Sequence, residues 1–143
     1  MSDSPKGPPA RFPRRATGQS EERSALAPKV DDLDAFLDEL DSIEGRIERV
    51  VARGQDAFSD GSDSYDHASM AIIRLAAIFE DDRFEAFLTP VPESARRGIA
   101  TTRNLVAHHG YRAMDDERFW LTITVHVPDL LDRIRPSATE RRS

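Results

Sequence analysis

Residues 30–51, VDDLDAFLDELDSIEGRIERVV, decide the fold class of this chain. Apolar residues recur in this stretch at intervals of three and four, which is the period of an amphipathic α-helix. They are Leu33, Phe36, Leu37, Leu40, Ile43, Ile47, Val50 and Val51. Gly54 is a natural stop for this helix, and the Asp-, Ser- and Gly-rich residues 56–64 predict a turn-forming connection.

Three more main helices are predicted downstream. Their expected bounds are 64–79 for the second helix, 80–88 for a short additional helix, about 92–108 for the third and about 115–135 for the fourth. Pro90 and Pro92 separate the short helix from the third, and Gly110 follows the third as a natural stop. Residues 121–127, LTITVHV, are β-branched and precede Pro128, so a strand and a kinked helix both stay open there.

Four amphipathic helices with short connections predict an all-α fold, an antiparallel four-helix bundle of the up-and-down type. The expected domain covers residues 29–135. Residues 1–28 are basic and rich in proline, and residues 136–143 are polar. Both are expected to be flexible tails, because they bury too little apolar area to offset the entropy of ordering.

The composition excludes several classes of chemistry. Cysteine is absent, which rules out disulfides, thiolate metal sites and a thiol nucleophile. Neither a secretory signal nor an apolar run of about 20 residues occurs, so a soluble, cytoplasmic protein with no membrane contact is expected. The formal net charge of -6 argues against indiscriminate binding of nucleic acid.

Positive charge nevertheless gathers around one later segment of the chain. The arginines there are Arg96, Arg97, Arg103 and Arg112. They leave room for a local phosphate site within an acidic protein.

The third predicted helix carries this segment and the candidate site. At about 100° per residue, one stripe of the helix is expected to face the core, and it consists of Ala95, Ile99, Thr102 and Val106. The outer stripe consists of Arg97, Thr101, Asn104 and His108, with Arg103 beside it. Two interpretations stay open. The outer stripe is either a solvated face, with a histidine that favours the helix dipole, or a working site.

A metal site and a cofactor site are not expected. The sequence has no glycine-rich phosphate loop, no GxSxG elbow and no HExxH motif. His108 and His109 are sequence neighbours whose side chains point about 100° apart on a helix, so they chelate one ion poorly. The outer stripe of the third helix is therefore the remaining candidate.

Residues 102–111, TRNLVAHHGY, resemble the signature of HEPN domains, especially the HepT-like toxins of prokaryotic HEPN and nucleotidyltransferase toxin-antitoxin pairs. The pattern of that signature is Arg-Asn, a short apolar spacer, and His-x-Tyr. A gap of four to six residues after the arginine is tolerated, so His108 and His109 both match. The aromatic pair Phe119-Trp120 follows at about the distance found in the family, and residues 127–131 look like its closing helix. The resemblance covers about residues 30–135.

The resemblance implies a HEPN-type bundle that acts as a metal-independent endoribonuclease. It also implies a symmetric homodimer in which the motif helices of two subunits line one cleft, and a nucleotidyltransferase antitoxin as partner. Cleavage of RNA by its own 2′-hydroxyl needs groups that take and give a proton, and positive charge on the phosphate. A histidine can fill either proton role near neutral pH, and a dimer brings two.

The implied site residues take separate roles in this scheme. Arg103 is expected to bind the phosphate through paired hydrogen bonds, His108 or His109 to transfer the proton, and Asn104 to orient the histidine or the substrate. Further binding contacts are expected from Arg97, Thr101 and Arg112. Tyr111 matches the tyrosine that the partner antitoxin nucleotidylates in the resembling toxins, and a bulky anion there would repel phosphate. A half-buried aromatic side chain is the other interpretation of Tyr111.

The sequence also leaves a non-catalytic function open. A HEPN-like bundle could bind a nucleotide or a nucleotidyltransferase partner and use the outer stripe for recognition alone. RNA cleavage in the presence of a chelator separates the two hypotheses, because only the enzyme cuts.

Overall fold

The computed structural model describes residues 30–108 and 115–140, and the regular secondary structure of these residues is entirely helical. The first three helices are α1 (Val30–Arg53), α2 (Asp63–Phe79) and α3 (Glu93–Ala107). The last stretch runs from α4 (Asp116–Leu121) through a π-helical segment (Thr122–His126) into α5 (Val127–Glu140). Short 3-10 helices lie at Gln55–Ala57 and Asp82–Phe87. The predicted all-α class is confirmed. Residues 1–28, which were predicted to be a flexible tail, lie outside the described residues.

Burial of one stripe of α1 forms the centre of the core. The predicted inner residues that are fully buried are Leu33, Phe36, Leu40, Ile43, Ile47 and Val50. Leu37 is only partly buried, and Val51 is 52% exposed. These two were predicted to face inward, but each follows a buried residue by one position, and a step of about 100° turns its side chain toward the flank.

The ends of α1 and α2 follow the local chemistry of their sequence. Gly54 ends α1 with a positive φ of 86°, a conformation that glycine adopts without steric cost. Ser62 is the N-cap of α2, and its hydroxyl accepts a hydrogen bond of 3.1 Å from the backbone N–H of Tyr65. Such a cap stabilises a helix by about 1 kcal/mol.

Two side-chain contacts show that α1 and α2 run antiparallel. Arg74 of α2 bonds Glu39 of α1 at 3.1 Å, and Arg46 of α1 lies 3.4 Å from the ring nitrogen of His67. As the residue number rises in one helix, it falls in the other. At the other side of α1, Arg135 of α5 contacts Asp41 and Glu44.

The last helical stretch differs from the prediction in two respects. Residues 122–126 form a π-helix, so the strand interpretation of LTITVHV is wrong. The helix also continues past residue 135 to Glu140, with Pro136 inside it, whereas residues 136–140 were predicted to belong to a flexible tail. Ala138 is fully buried four residues after buried Ile134. This packing offsets the hydrogen bond that a proline removes from a helix.

The helix α3, which carries the candidate site, is packed less deeply than α1 and α2. Its principal contacts are with α2, and Ile99 is its single fully buried side chain among the described residues. Ala95, Thr102 and Val106 of the predicted inner stripe are only half-buried. Ala95 and Thr102 border an open groove between α3 and α5, and Val106 borders a cavity between α2 and α3.

Candidate functional site

The predicted outer stripe of α3 faces away from the protein interior. Arg97, Thr101, Asn104 and His108 are all exposed. They are spaced at intervals of four, three and four residues, so the helix presents their side chains along one face. This part of the candidate site has the orientation that the sequence predicted.

Arg103 lies beside this face, and its side chain is held by an acidic residue of α2. Its Nη1 donates a hydrogen bond of 2.6 Å to Oε2 of Glu80. The Arg103 side chain is 29% exposed and that of Glu80 is 58% exposed. The guanidinium therefore remains within reach of solvent, but one carboxylate already occupies one of its edges.

The other described arginines of α3 are also paired with glutamates. Arg96 bonds both carboxylate oxygens of Glu85, at 3.3 and 3.1 Å, and its guanidinium lies 5.9 Å from the centre of the Phe79 ring. Arg97 approaches Glu93 at 4.0 Å on a largely exposed surface, a distance at which an ion pair contributes little. The local positive charge that the sequence predicted is thus offset by nearby carboxylates.

His108 is at the C-terminal end of α3, where it serves as the C-cap. Its backbone N–H donates to the carbonyl of Leu105 at 3.3 Å. The imidazole is exposed and borders a cavity of about 320 Å³ between the ends of α2 and α3.

Tyr65 forms part of the same cavity and adds a second titratable group near His108. Burial raises the pKa of the Tyr65 hydroxyl, and the negative charges of Asp60 and Asp116 raise this pKa further. The hydroxyl therefore stays protonated at neutral pH and is able to donate a hydrogen bond into the cavity.

Glu80 is a site residue that the sequence analysis missed. It is the C-cap of α2, where the helix dipole disfavours a negative charge. An acidic residue in that position calls for a cation close by, and this rule could have pointed to its pairing with Arg103. The pairing itself depends on how α2 and α3 pack, which no local pattern reveals.

Several predicted site residues lie outside the described part of the chain. These are His109, Tyr111 and Arg112. The choice between His108 and His109 as the catalytic histidine therefore stays a prediction. The other two histidines lie elsewhere: His67 contacts Arg46, and His126 borders the groove between α3 and α5.

Residues 30–108 and 115–140 contain neither a cluster of metal ligands nor a membrane-spanning helix. Within these ranges, no three His, Asp or Glu side chains come together in a way that could hold a metal ion. Within the same ranges, each helix is too short or too polar to cross a bilayer.

Comparison with known proteins gives this chain no family. No family model matches the sequence, and neither a curated protein nor a solved structure matches it. The described residues form an all-α arrangement of packed helices.

Proposed function

We propose that this chain is the endoribonuclease toxin of a type VII-like HEPN and nucleotidyltransferase system, acting without a metal ion at a site shared across a homodimer. One observation supports this proposal above the others. The exposed face of α3 presents Asn104 and His108 four residues apart, with the guanidinium of Arg103 beside them. These residue types and spacings resemble the Arg-Asn and His elements of the HepT-like signature.

The reaction requires two proton transfers and one site of charge stabilisation. A neutral imidazole removes the proton of the 2′-hydroxyl, whose oxygen then attacks the adjacent phosphorus. A protonated imidazole gives a proton to the departing 5′-oxygen, which leaves a 2′,3′-cyclic phosphate and a free 5′-hydroxyl. Arg103 would stabilise the negative charge on the phosphate oxygens. Because each subunit supplies one motif histidine, the two subunits together supply the base and the acid.

The pairing of Arg103 with Glu80 bears directly on this mechanism. A phosphate can bind the guanidinium edge only if Glu80 moves aside or if a second edge is used. Glu80 is more exposed than Arg103, and ion pairs at such surfaces contribute only about 0–1 kcal/mol. A substrate with two negative oxygens and several neighbouring contacts can therefore displace the carboxylate.

A second subunit has an apolar surface available next to the site. Met70 and Ile73 are exposed side chains on the face of α2 that borders α3. Ala77 continues the same face one turn later and is exposed as well. Burial of such side chains favours association of two subunits with their α3 helices near each other. The proposed partner in neutralisation is the nucleotidyltransferase antitoxin, with Tyr111 as the residue that it modifies.

One observation favours a second candidate, a non-catalytic HEPN-like module that binds a nucleotide or the nucleotidyltransferase. Each of the described arginines of α3, which are Arg96, Arg97 and Arg103, lies near a glutamate. A surface neutralised in this way is better suited to protein recognition than to holding a polyanion.

Incubation of the purified full-length protein with single-stranded RNA and excess EDTA separates these two functions. The ribonuclease is expected to cut and to leave 2′,3′-cyclic phosphate ends, because its chemistry uses imidazole and guanidinium groups alone. Sizing at micromolar concentration is expected to give a dimer. Intact RNA after prolonged incubation of a dimeric protein would exclude the enzyme and support the binding module.

The substitution Glu80→Gln tests the role assigned to the ion pair. It removes the charge that competes with phosphate while keeping the shape of the side chain. We expect the apparent KM for RNA to fall by up to about fivefold, which corresponds to the 0–1 kcal/mol of an exposed pair. Glu85→Gln, which frees Arg96 instead, is the matched control and should change KM less. A loss of cleavage in Glu80→Gln would show that Glu80 holds Arg103 in its active position.

A further inference from the structure

The groove between α3 and α5 is a second candidate site, on a different side of α3 from the outer stripe. It encloses about 360 Å³, a size within the range of pockets that take small organic ligands. Its floor is apolar and consists of the buried side chains of Ile99, Val127 and Leu130. Pockets between the helices of a bundle commonly combine such a floor with a few polar groups at the rim.

Gly98 gives the α3 wall of this groove its shape. The residue lies in the middle of α3, where glycine costs helix stability relative to alanine. A Cβ atom at this position would meet no atom of the described residues within 4 Å outside its own helix turn. Packing within this part of the chain therefore does not require a glycine here. The missing side chain leaves open space beside the helix backbone, which gives room for a flat ligand in the groove.

The polar rim on the α5 side carries one negative and one positive group a helical turn apart. Asp129 and Arg133 both border the groove and both are exposed. Residues four positions apart often form ion pairs on a helix. In the described part of the chain, however, neither of them forms an ion pair within 4 Å, in contrast to the paired arginines of α3. A carboxylate and a guanidinium thus remain available on the same edge of one pocket.

This pair of groups matches guanine better than the other bases. Guanine presents two acceptors, O6 and N7, which a guanidinium binds through paired hydrogen bonds, and it presents N–H donors that a carboxylate accepts. Adenine carries an amino group in place of O6 and an acceptor in place of N1–H, so in this orientation it loses one hydrogen bond to the guanidinium and one to the carboxylate. The planar faces of the base would lie between Gly98 and the apolar floor.

The π-helical segment Thr122–His126 supports a functional role for the same groove. Thr122 and His126 both border it, and the segment leads directly into Val127 of the floor. π-helical turns are rare because their geometry is less favourable than that of an α-helix, and they are found often at functional sites.

We propose that the groove between α3 and α5 binds the base of a guanine nucleotide, with Arg133 on its O6 and N7 atoms and Asp129 on its N–H groups. The ligand is either a free guanosine nucleotide or an unpaired guanine within an RNA strand. This inference goes beyond the ribonuclease function and does not depend on it, because the groove and the outer stripe of α3 use different residues.

Calorimetric titration of the full-length protein with guanosine, adenosine and uridine monophosphates tests the proposal without any cleavage step. We expect guanosine monophosphate to bind at least tenfold more tightly than the other two. Gly98→Leu fills the groove and is expected to weaken this binding tenfold or more. Gly45→Leu is the matched control, because Gly45 is also a helical glycine with no neighbour within 4 Å of its added Cβ and does not border the groove. It should bind as the parent does.

A second variant and a second ligand complete the test. Asp129→Asn alters an exposed side chain, so it should fold normally and lose most of the preference for guanosine over adenosine. A tetranucleotide with one guanine that binds more tightly than the mononucleotide would identify RNA as the source, and equal binding would identify the free nucleotide. Equal affinities for the three mononucleotides, no binding at millimolar concentration, or undiminished binding by a folded Gly98→Leu variant would each overturn the proposal.

Discussion

His108→Ala is expected to lower the rate of RNA cleavage by about 10²–10⁴-fold while the helical content stays unchanged. A positioned acid or base contributes about this factor to a reaction that needs proton transfer. The fold should tolerate the change, because the imidazole is exposed at the end of α3 and lies outside the hydrophobic core. The measurement is the initial rate of cleavage of a labelled single-stranded RNA in EDTA, with circular dichroism as the check of the fold.

Three further variants test the same assignment. His109→Ala should cut nearly as the parent does if His108 is the catalytic residue, and the reverse pattern would assign the role to His109. Arg103→Ala should reduce cleavage by about 10²–10³-fold, the usual cost of one lost group that stabilises transition-state charge. Arg49→Ala removes an exposed arginine of α1 outside the site and should leave the rate unchanged. If both histidine variants cut RNA like the parent, the catalytic assignment is wrong.

The fold was predictable from the sequence wherever periodicity and capping residues agree. The stripe from Leu33 to Val50 indicated α1, and Gly54 indicated where α1 ends. Such signals are local, because each depends on residues within one or two helical turns. These signals can therefore be recognised in the sequence without knowledge of the tertiary structure.

The last helix shows where local rules fail. The β-branched run LTITVHV and Pro136 argue locally for a strand and for a helix end, respectively. The structure has a π-helix and a helix that continues to Glu140. Burial of Ile123, Ile134 and Ala138 against the rest of the bundle decides the outcome, and burial is a property of the whole fold.

The candidate site also has features that local rules predict and features that they do not. The exposed positions of Asn104 and His108 follow from helix periodicity alone. The positions of the carboxylates that pair with the α3 arginines could not be predicted in this way. Glu80 and Glu85 lie 23 and 11 residues away in the chain from the arginines that they contact. The sequence could thus indicate which groups the site contains, but not the charge that a substrate meets.

Phe36→Ala is expected to have the largest effect on stability, a loss of about 3–5 kcal/mol in the free energy of unfolding. Phe36 has no exposed surface, and its ring centre lies 5.2 Å from that of Phe84 and 4.9 Å from that of Phe87. Removal of the ring opens a cavity and separates α1 from the 3-10 helix Asp82–Phe87. Urea denaturation followed by circular dichroism measures the loss as a lower midpoint.

The matched control is Val51→Ala in the same helix, which should change the free energy of unfolding by less than about 0.5 kcal/mol because Val51 is 52% exposed. The contrast between these two apolar residues of α1 tests the packing directly, since intrinsic helix propensity favours alanine over both. Domains of this size are stable by only about 5–15 kcal/mol, so Phe36→Ala should leave a detectable unfolded fraction well below the midpoint of the parent. Equal effects of the two substitutions would mean that α1 does not face the core through Phe36.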